Sequence, residues 1–92
     1  LRADLLLFRL RLAKSRALAQ ARIAEGHMRL NGQRLLARDR AVAVGDVLTL
    51  PLGPSVQVVQ IVSLPERRGP PAEARSCYRV LDAGGSFAIA ES

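Results

Sequence analysis

Aromatic side chains are scarce in this sequence: two Phe, one Tyr and no Trp among 92 residues. That shortage excludes the rows of rings on which single-stranded nucleic acid is stacked base by base. Cysteine is limited to Cys77, so no internal disulfide can form and no thiolate cage can hold a metal. A reducing compartment, the cytoplasm by default, is therefore expected. His27 is the single histidine. Placed after a helix end, it reads as a cap or surface group rather than a catalyst. The chain shows no Cys-His cluster, paired carboxylates, Ser-His-Asp set or glycine-rich phosphate loop, so binding without catalysis or cofactor is the expectation. Long apolar runs are missing as well. The N-terminal LRADLLLFRLRLAKSR has an uncharged apolar run only from Leu5 to Phe8 before Arg9, Arg11 and Lys14 follow, too short for a signal peptide or a membrane span.

What the chain does have is aliphatic bulk and an uneven charge. With 49% apolar residues but 3% aromatic, its core must be built from Leu, Val, Ile and Ala. Ninety-two residues suffice for one such core without staples. The net charge of +6 is concentrated at one end. Residues 1–40 hold ten Lys or Arg against three acids, a balance of +7, whereas residues 41–92 hold four against five, a balance of −1. Charge gathered in this way is what a directed contact with a polyanion requires.

Asp4 to Leu12 predicts a first helix, with Leu5, Phe8 and Leu12 along one face, Leu6 and Leu10 beside them, and Asp4 at the positive end of its dipole. Ser15 is a good N-cap for a second helix running to about Glu25, and Gly26 stands where a left-handed C-cap belongs. The period then changes. Met28 and Leu30 alternate with Arg29, Asn31-Gly32 is a strong hairpin signal, and Arg34 to Leu36 can return. Gly45-Asp46 introduces a strand from Val47 to Leu50, Pro51 to Pro54 reads as a turn, and the β-branched stretch Val56 to Val62 can pair back. Leu64 to Pro71 is a loop by composition. Ala72 to Leu81 is expected to form a short helix with Ala74, Cys77, Tyr78 and Leu81 inward. Gly84-Gly85 ends it, and the closing SFAIAES is either a short strand or a frayed end.

A helix beginning at Ser15 aims free backbone N–H groups and the positive end of its dipole outward, with Lys14 and Arg16 alongside. Arg11, four residues before the cap, is expected to project from the last turn of the first helix toward the same corner. Alternation exposes Arg29 on the face opposite Met28 and Leu30. Gln33 and Arg34, just past the turn, are placed to reach a sugar edge or a phosphate. Asn31 and Gly32 read first as turn formers, since both tolerate positive φ. Arg67-Arg68 is a second, weaker basic spot, read as solvated.

Residues 2–34, followed by Val44-Gly45-Asp46-Val47, resemble the RNA-binding domain named after small-subunit ribosomal protein S4, also called the alpha-L motif. Its ordered signature stands here as Arg2, Asp4, Ser15-Arg16, Gly26, Asn31-Gly32 and Gly45-Asp46. The stretch Pro65 to Ala74 is similar to the continuation found in the heat shock protein 15 branch of that family. This sequence has Leu5 and Leu6 where the family has Lys and Trp, keeps an aromatic only at Phe8, and carries only acidic charge over residues 82–92. The resemblance implies a binder of structured RNA. In that branch the target is the large ribosomal subunit carrying a stalled nascent chain and its tRNA. It also carries Arg2, Gln20, His27, Asn31 and Gln33 onto the RNA-facing surface as peripheral contacts.

The expected architecture is α+β, with two N-terminal helices packed on a small, mostly antiparallel sheet. Residues 1–63 form the alpha-L RNA-binding domain, and residues 64–92 a loop and short extension packed on it or trailing it. The expected binding set is Arg2, Arg11, Lys14, Ser15, Arg16, Gln20, His27, Arg29, Asn31, Gln33 and Arg34. A monomer that meets rRNA or tRNA, and nonspecifically DNA, but not a membrane, follows from this reading. Its rivals are a tethering module for an RNA-modifying enzyme and a protein-interaction adaptor.

Overall fold

The computed structural model describes residues 1–52 and 54–83. Helix α1 spans Ala3–Arg9 and α2 spans Arg16–Ala24. The short strands β1 (Arg29–Leu30) and β2 (Gln33–Arg34) form the hairpin, β3 (Val47–Leu52) and β4 (Ser55–Ile61) the long central pair. Helix α3 (Pro71–Arg75) leads into β5 (Tyr78–Ala83). The order across the sheet is β2-β1-β3-β4-β5, and every neighbouring pair is antiparallel.

Local chemistry explains most boundaries. The Ser15 hydroxyl accepts a hydrogen bond from the Leu18 N–H at 3.0 Å, capping α2 where its sequence asks for a cap. Gly26, at φ +81°, stops the helix. Asn31 and Gly32 both take positive φ, 53° and 83°, the pairing that a two-residue hairpin turn needs to match strand twist. Along β3 and β4, Leu48 and Leu50 alternate with half-buried neighbours, and Leu48 pairs with Val59 so that both face inward. Leu6, Leu7 and Leu10 from the first helical segment, Ile23 from α2 and Leu30, Leu48, Leu50, Val59 and Ile61 from the sheet make one aliphatic core.

Three expectations are corrected. The inner face of α1 is Ala3, Leu6, Leu7 and Leu10, whereas Leu5, Phe8 and Leu12 are half-buried. A run of leucines fits more than one helical stripe, so periodicity alone does not choose among them. The helix also stops at Arg9, because Arg11 adopts a left-handed φ of 61° and turns the chain. Next, β3 continues through Pro51 to Leu52 instead of turning there. Beyond Thr49 the strand β1 no longer flanks β3, and an open strand edge tolerates a residue without an N–H.

The third correction concerns residues 72–81. Only Pro71–Arg75 is helical, and Tyr78–Ala83 is a strand on the edge of β4, with one irregularity opposite Val58 and Val59. Ala74 and Cys77 are buried as expected, but Leu81 is exposed. The β-branched strand β4 offers an open ladder that a one-turn helix extension cannot match. Gly84-Gly85 and SFAIAES lie outside the described residues.

The loop before α3 is fastened to the first helix by arginines. Arg9 donates to the Pro65 carbonyl at 2.9 Å, Arg11 to that of Gly69 at 2.6 Å, and Arg68 to that of Phe8 at 3.0 Å. The Arg68 guanidinium also lies 4.8 Å from the Phe8 ring centroid. Arg68 is thus half-buried and docked at the negative end of α1, while Arg67 stays exposed and pairs with Glu73 at 3.0 Å.

Candidate nucleic-acid interface

Asp4 is fully buried and organises one corner of the domain. Its carboxylate accepts from Arg2 through Nε at 2.7 Å and Nη2 at 3.1 Å, from the Leu5 N–H at 2.7 Å, from Gln20 Nε2 at 2.9 Å and from Arg16 Nε at 3.4 Å. Gln20 in turn accepts from Arg38 at 3.3 Å. Burial acts to raise the Asp4 pKa, but the hydrogen bonds from Arg2, Gln20 and Leu5, with the Arg2 charge, outweigh it and bring the value to about 2. Two guanidinium groups, those of Arg2 and Arg16, therefore meet on one carboxylate, and a third, that of Arg38, joins through Gln20. The Arg2 and Arg16 side chains remain 38% and 44% exposed, so each is aimed by Asp4 while still open to solvent.

Next to this corner is the start of α2. Ser15 occupies the Leu18 N–H, and the N–H groups of Arg16 and Ala17 have no partner among the described residues. Two donors, the helix dipole and the Lys14 ammonium therefore share one exposed end, an arrangement suited to a phosphate.

The hairpin adds a second set. Arg29 and Arg34 face each other across β1 and β2, both exposed, and Arg29 folds back onto the Gly32 carbonyl at 3.2 Å. Like charges placed opposite one another on a strand pair are unfavourable without an anion between them. Asn31 is spent on structure: its amide donates to Asp46 at 3.2 Å and its oxygen accepts from the Val47 N–H at 2.9 Å. Asp46 also accepts from the Ala43 N–H, and these two bonds hold its pKa below the ordinary carboxylate range. The side chains of Gln33 and His27 are exposed, without a partner among the described residues.

The S4 domain family model matches residues 1–48. This chain belongs to the S4 domain family. Among solved structures the S4 domain here is similar to Heat Shock Protein 15 of Vibrio cholerae, a structure described as trimeric, with a TM-score of 0.82 and 30% identity over 87% of this chain and 80% of that one. A comparison with curated proteins gives no match. The chain is an RNA-binding S4 domain of the heat shock protein 15 kind, with the α+β architecture that its sequence led us to expect.

Within this S4 domain the expected residues separate into three places. Arg2, Arg16 and Gln20 converge on Asp4, Lys14 and Ser15 stand at the start of α2, and Arg29, Asn31, Gln33 and Arg34 lie on the hairpin. Arg11 does not project from a helix turn toward that start: its left-handed backbone directs Nε to the Gly69 carbonyl. Sequence reasoning passed over Arg38, which extends the Asp4 cluster, and Arg22, which lines a cleft of about 480 Å3 with Arg11 and Lys14. The spacing Leu18, Arg22, Glu25 on one flank of α2 was the available signal for the second. Among the described residues no cluster of His, Cys, Asp or Glu is placed to hold a metal, and no helix is long and apolar enough to cross a membrane.

Proposed function

We propose that this S4 domain reads the shape and phosphates of structured ribosomal or transfer RNA, and that its target is the large ribosomal subunit carrying a stalled nascent chain and tRNA. The Asp4 cluster carries this reading. A buried carboxylate that aims two arginines from separate segments fixes the spacing of positive charge before RNA arrives, which lowers the cost of ordering those side chains. Arg2, Arg16, Lys14, Arg29 and Arg34 neutralise phosphates, the free N–H groups of Arg16 and Ala17 donate to one of them, and Gln20, Gln33 and His27 make peripheral contacts. Arg11 and Asn31 act from behind, as supports for the loop and the turn. The contacting surface lies within residues 1–63, and residues 64–83 brace it through the arginine contacts to the first helix. The role is binding without catalysis, as a cytoplasmic monomer.

The deciding experiment is co-sedimentation of the wild type and an Arg16→Glu/Arg29→Glu double variant with purified ribosomal subunits and tRNA, at low and physiological salt. Wild-type binding to the large subunit that the folded variant loses is the expected result. With about four to six phosphates engaged, log affinity should fall against log salt with a slope of roughly 0.7 to 0.9 per phosphate. Binding that ignores salt, or that survives the double reversal, removes the proposed surface. Equal binding to DNA removes the RNA selectivity, and a mass above one chain in sedimentation equilibrium removes the monomer.

A further inference from the structure

The cleft of about 480 Å3 on the other flank of α2 shares Lys14 with the surface described above, and its remaining lining takes no part in the proposed RNA contact. Leu12, Leu18, Met28 and Pro51 give it an apolar lining, and its charges are ordered along the helix. Arg11 and Lys14 precede the start of α2, Arg22 is in its last turn and Glu25 is its C-cap. At ~1.5 Å rise per residue the cationic and carboxylate ends are on the order of 15 Å apart. Lys14 and Arg22 make no side-chain hydrogen bond or ion pair among the described residues, and Arg11 engages the protein only through Nε.

Those properties define an occupant. A plain anion would answer the cations and leave the apolar lining wet. An apolar peptide would cover the lining and desolvate three cations without partners. A flat apolar body with an anion at one end satisfies both, and a cleft of this size holds one small ligand. RNA contains such a group wherever a nucleotide leaves the stack.

We propose that this cleft receives one unpaired nucleotide of the bound RNA, extruded from a bulge or a helix end. This rests on the RNA-binding reading above and adds a specificity to it. The phosphate lies beside Lys14 and the terminal nitrogens that Arg11 leaves free while its Nε holds Gly69, and the base covers Leu18 and Met28 with the Arg22 guanidinium against its face. The amino or imino donors of the base edge point to Glu25. An arginine plane serves as a stacking partner for a splayed base where no aromatic ring is available. The methionine sulfur is a favourable neighbour for an aromatic ring, and a carboxylate accepts from base N–H groups. The scarcity of aromatic residues therefore excludes a strand-long platform and leaves a one-base site intact.

The test titrates the full chain against two RNA stem-loops that differ only by one bulged 2-aminopurine nucleotide, reading anisotropy for affinity and 2-aminopurine fluorescence for burial of the base. Wild type should prefer the bulged stem by roughly five- to tenfold, the lower part of the range for stacking one base on a protein side chain. Arg22→Gln and Leu18→Ser, each checked for folding by circular dichroism, should lose that preference and the fluorescence change. Their affinity for the fully paired stem should stay within about threefold of wild type, since one phosphate contact at most is altered. Equal wild-type affinity for the two stems overturns the site while leaving RNA binding in place. So does a preference that survives both variants, which would place the unpaired base elsewhere on the surface. Binding of neither stem overturns this inference and the RNA reading together.

Discussion

Arg2 and Arg16 on one flank of α2, and Lys14 and Arg22 on the other, carry the same charge but are held in different ways. The first two are tied to the buried Asp4 carboxylate, and the second two have no partner among the described residues. Tying a cation fixes where it points and lowers its net field. Leaving it untied keeps the full charge, at the cost of ordering a long side chain when a ligand binds. A basic surface of this kind is therefore two devices: a rigid cluster that doubles as part of the fold, and loose cations that no other described residue holds.

Removing the carboxylate should break the comparison most visibly. Asp4→Ala leaves Arg2, Arg16 and Gln20 without their shared acceptor, and the loss of a buried charge partner is expected to cost about 3 kcal/mol. In a domain of this size the melting temperature should fall by at least ~12 °C. A shift below ~4 °C in thermal denaturation would show that the cluster is ornamental to the fold.

Acid titrates the same tie without mutation. The Asp4 pKa is depressed from 3.8 to about 2, so its contribution is fully present above the unfolded value and is lost as pH falls through the folded value. Stability should drop by roughly 2 kcal/mol between about pH 5 and pH 1, and the Asp4→Asn variant should lack that part of the drop. Urea melts at stepped pH, with wild type and variant changing in parallel, would contradict it.

Ser15 stands between the two groups. Ser15→Ala removes the cap on Leu18 and should lower stability by about 1 kcal/mol, with Ser15→Asp recovering most of it. The smallest effect on folding is expected from the untied cations. Lys14→Gln with Arg34→Gln should change stability by less than ~0.5 kcal/mol. It should flatten the salt dependence of RNA binding by about 0.7 to 0.9 in log–log slope for each phosphate contact removed. Arg16→Gln, by contrast, should register in both measurements.

Much of this was legible along the chain. Ser15, Gly26, Asn31-Gly32 and Gly45-Asp46 each act through hydrogen bonds or backbone angles within a few residues, and the structure uses all of them as caps or turns. The face of α1 was not, because Leu5, Leu6 and Leu7 are chemically alike and only the sheet beneath selects among stripes. Nor was β5. Tyr78-Arg79-Val80 has no strand signal strong enough to stand against a helical reading until β4 presents an open edge to it.

The sequence by itself determined several caps and turns, that the core is aliphatic, and that positive charge gathers in residues 1–40, since each of these depends on local bonding or composition. Only the tertiary structure decided that Asp4 is a hub rather than a helix-end charge, that Arg11 and Arg68 brace a loop, and that Arg22 borders a cleft. Those roles depend on partners 12 to 60 residues away, on Gln20 and Arg16 for Asp4 and on Gly69 and Phe8 for the two arginines. A long cationic side chain finds its acceptor by burial and geometry, and neither is written in the spacing of residues along the chain.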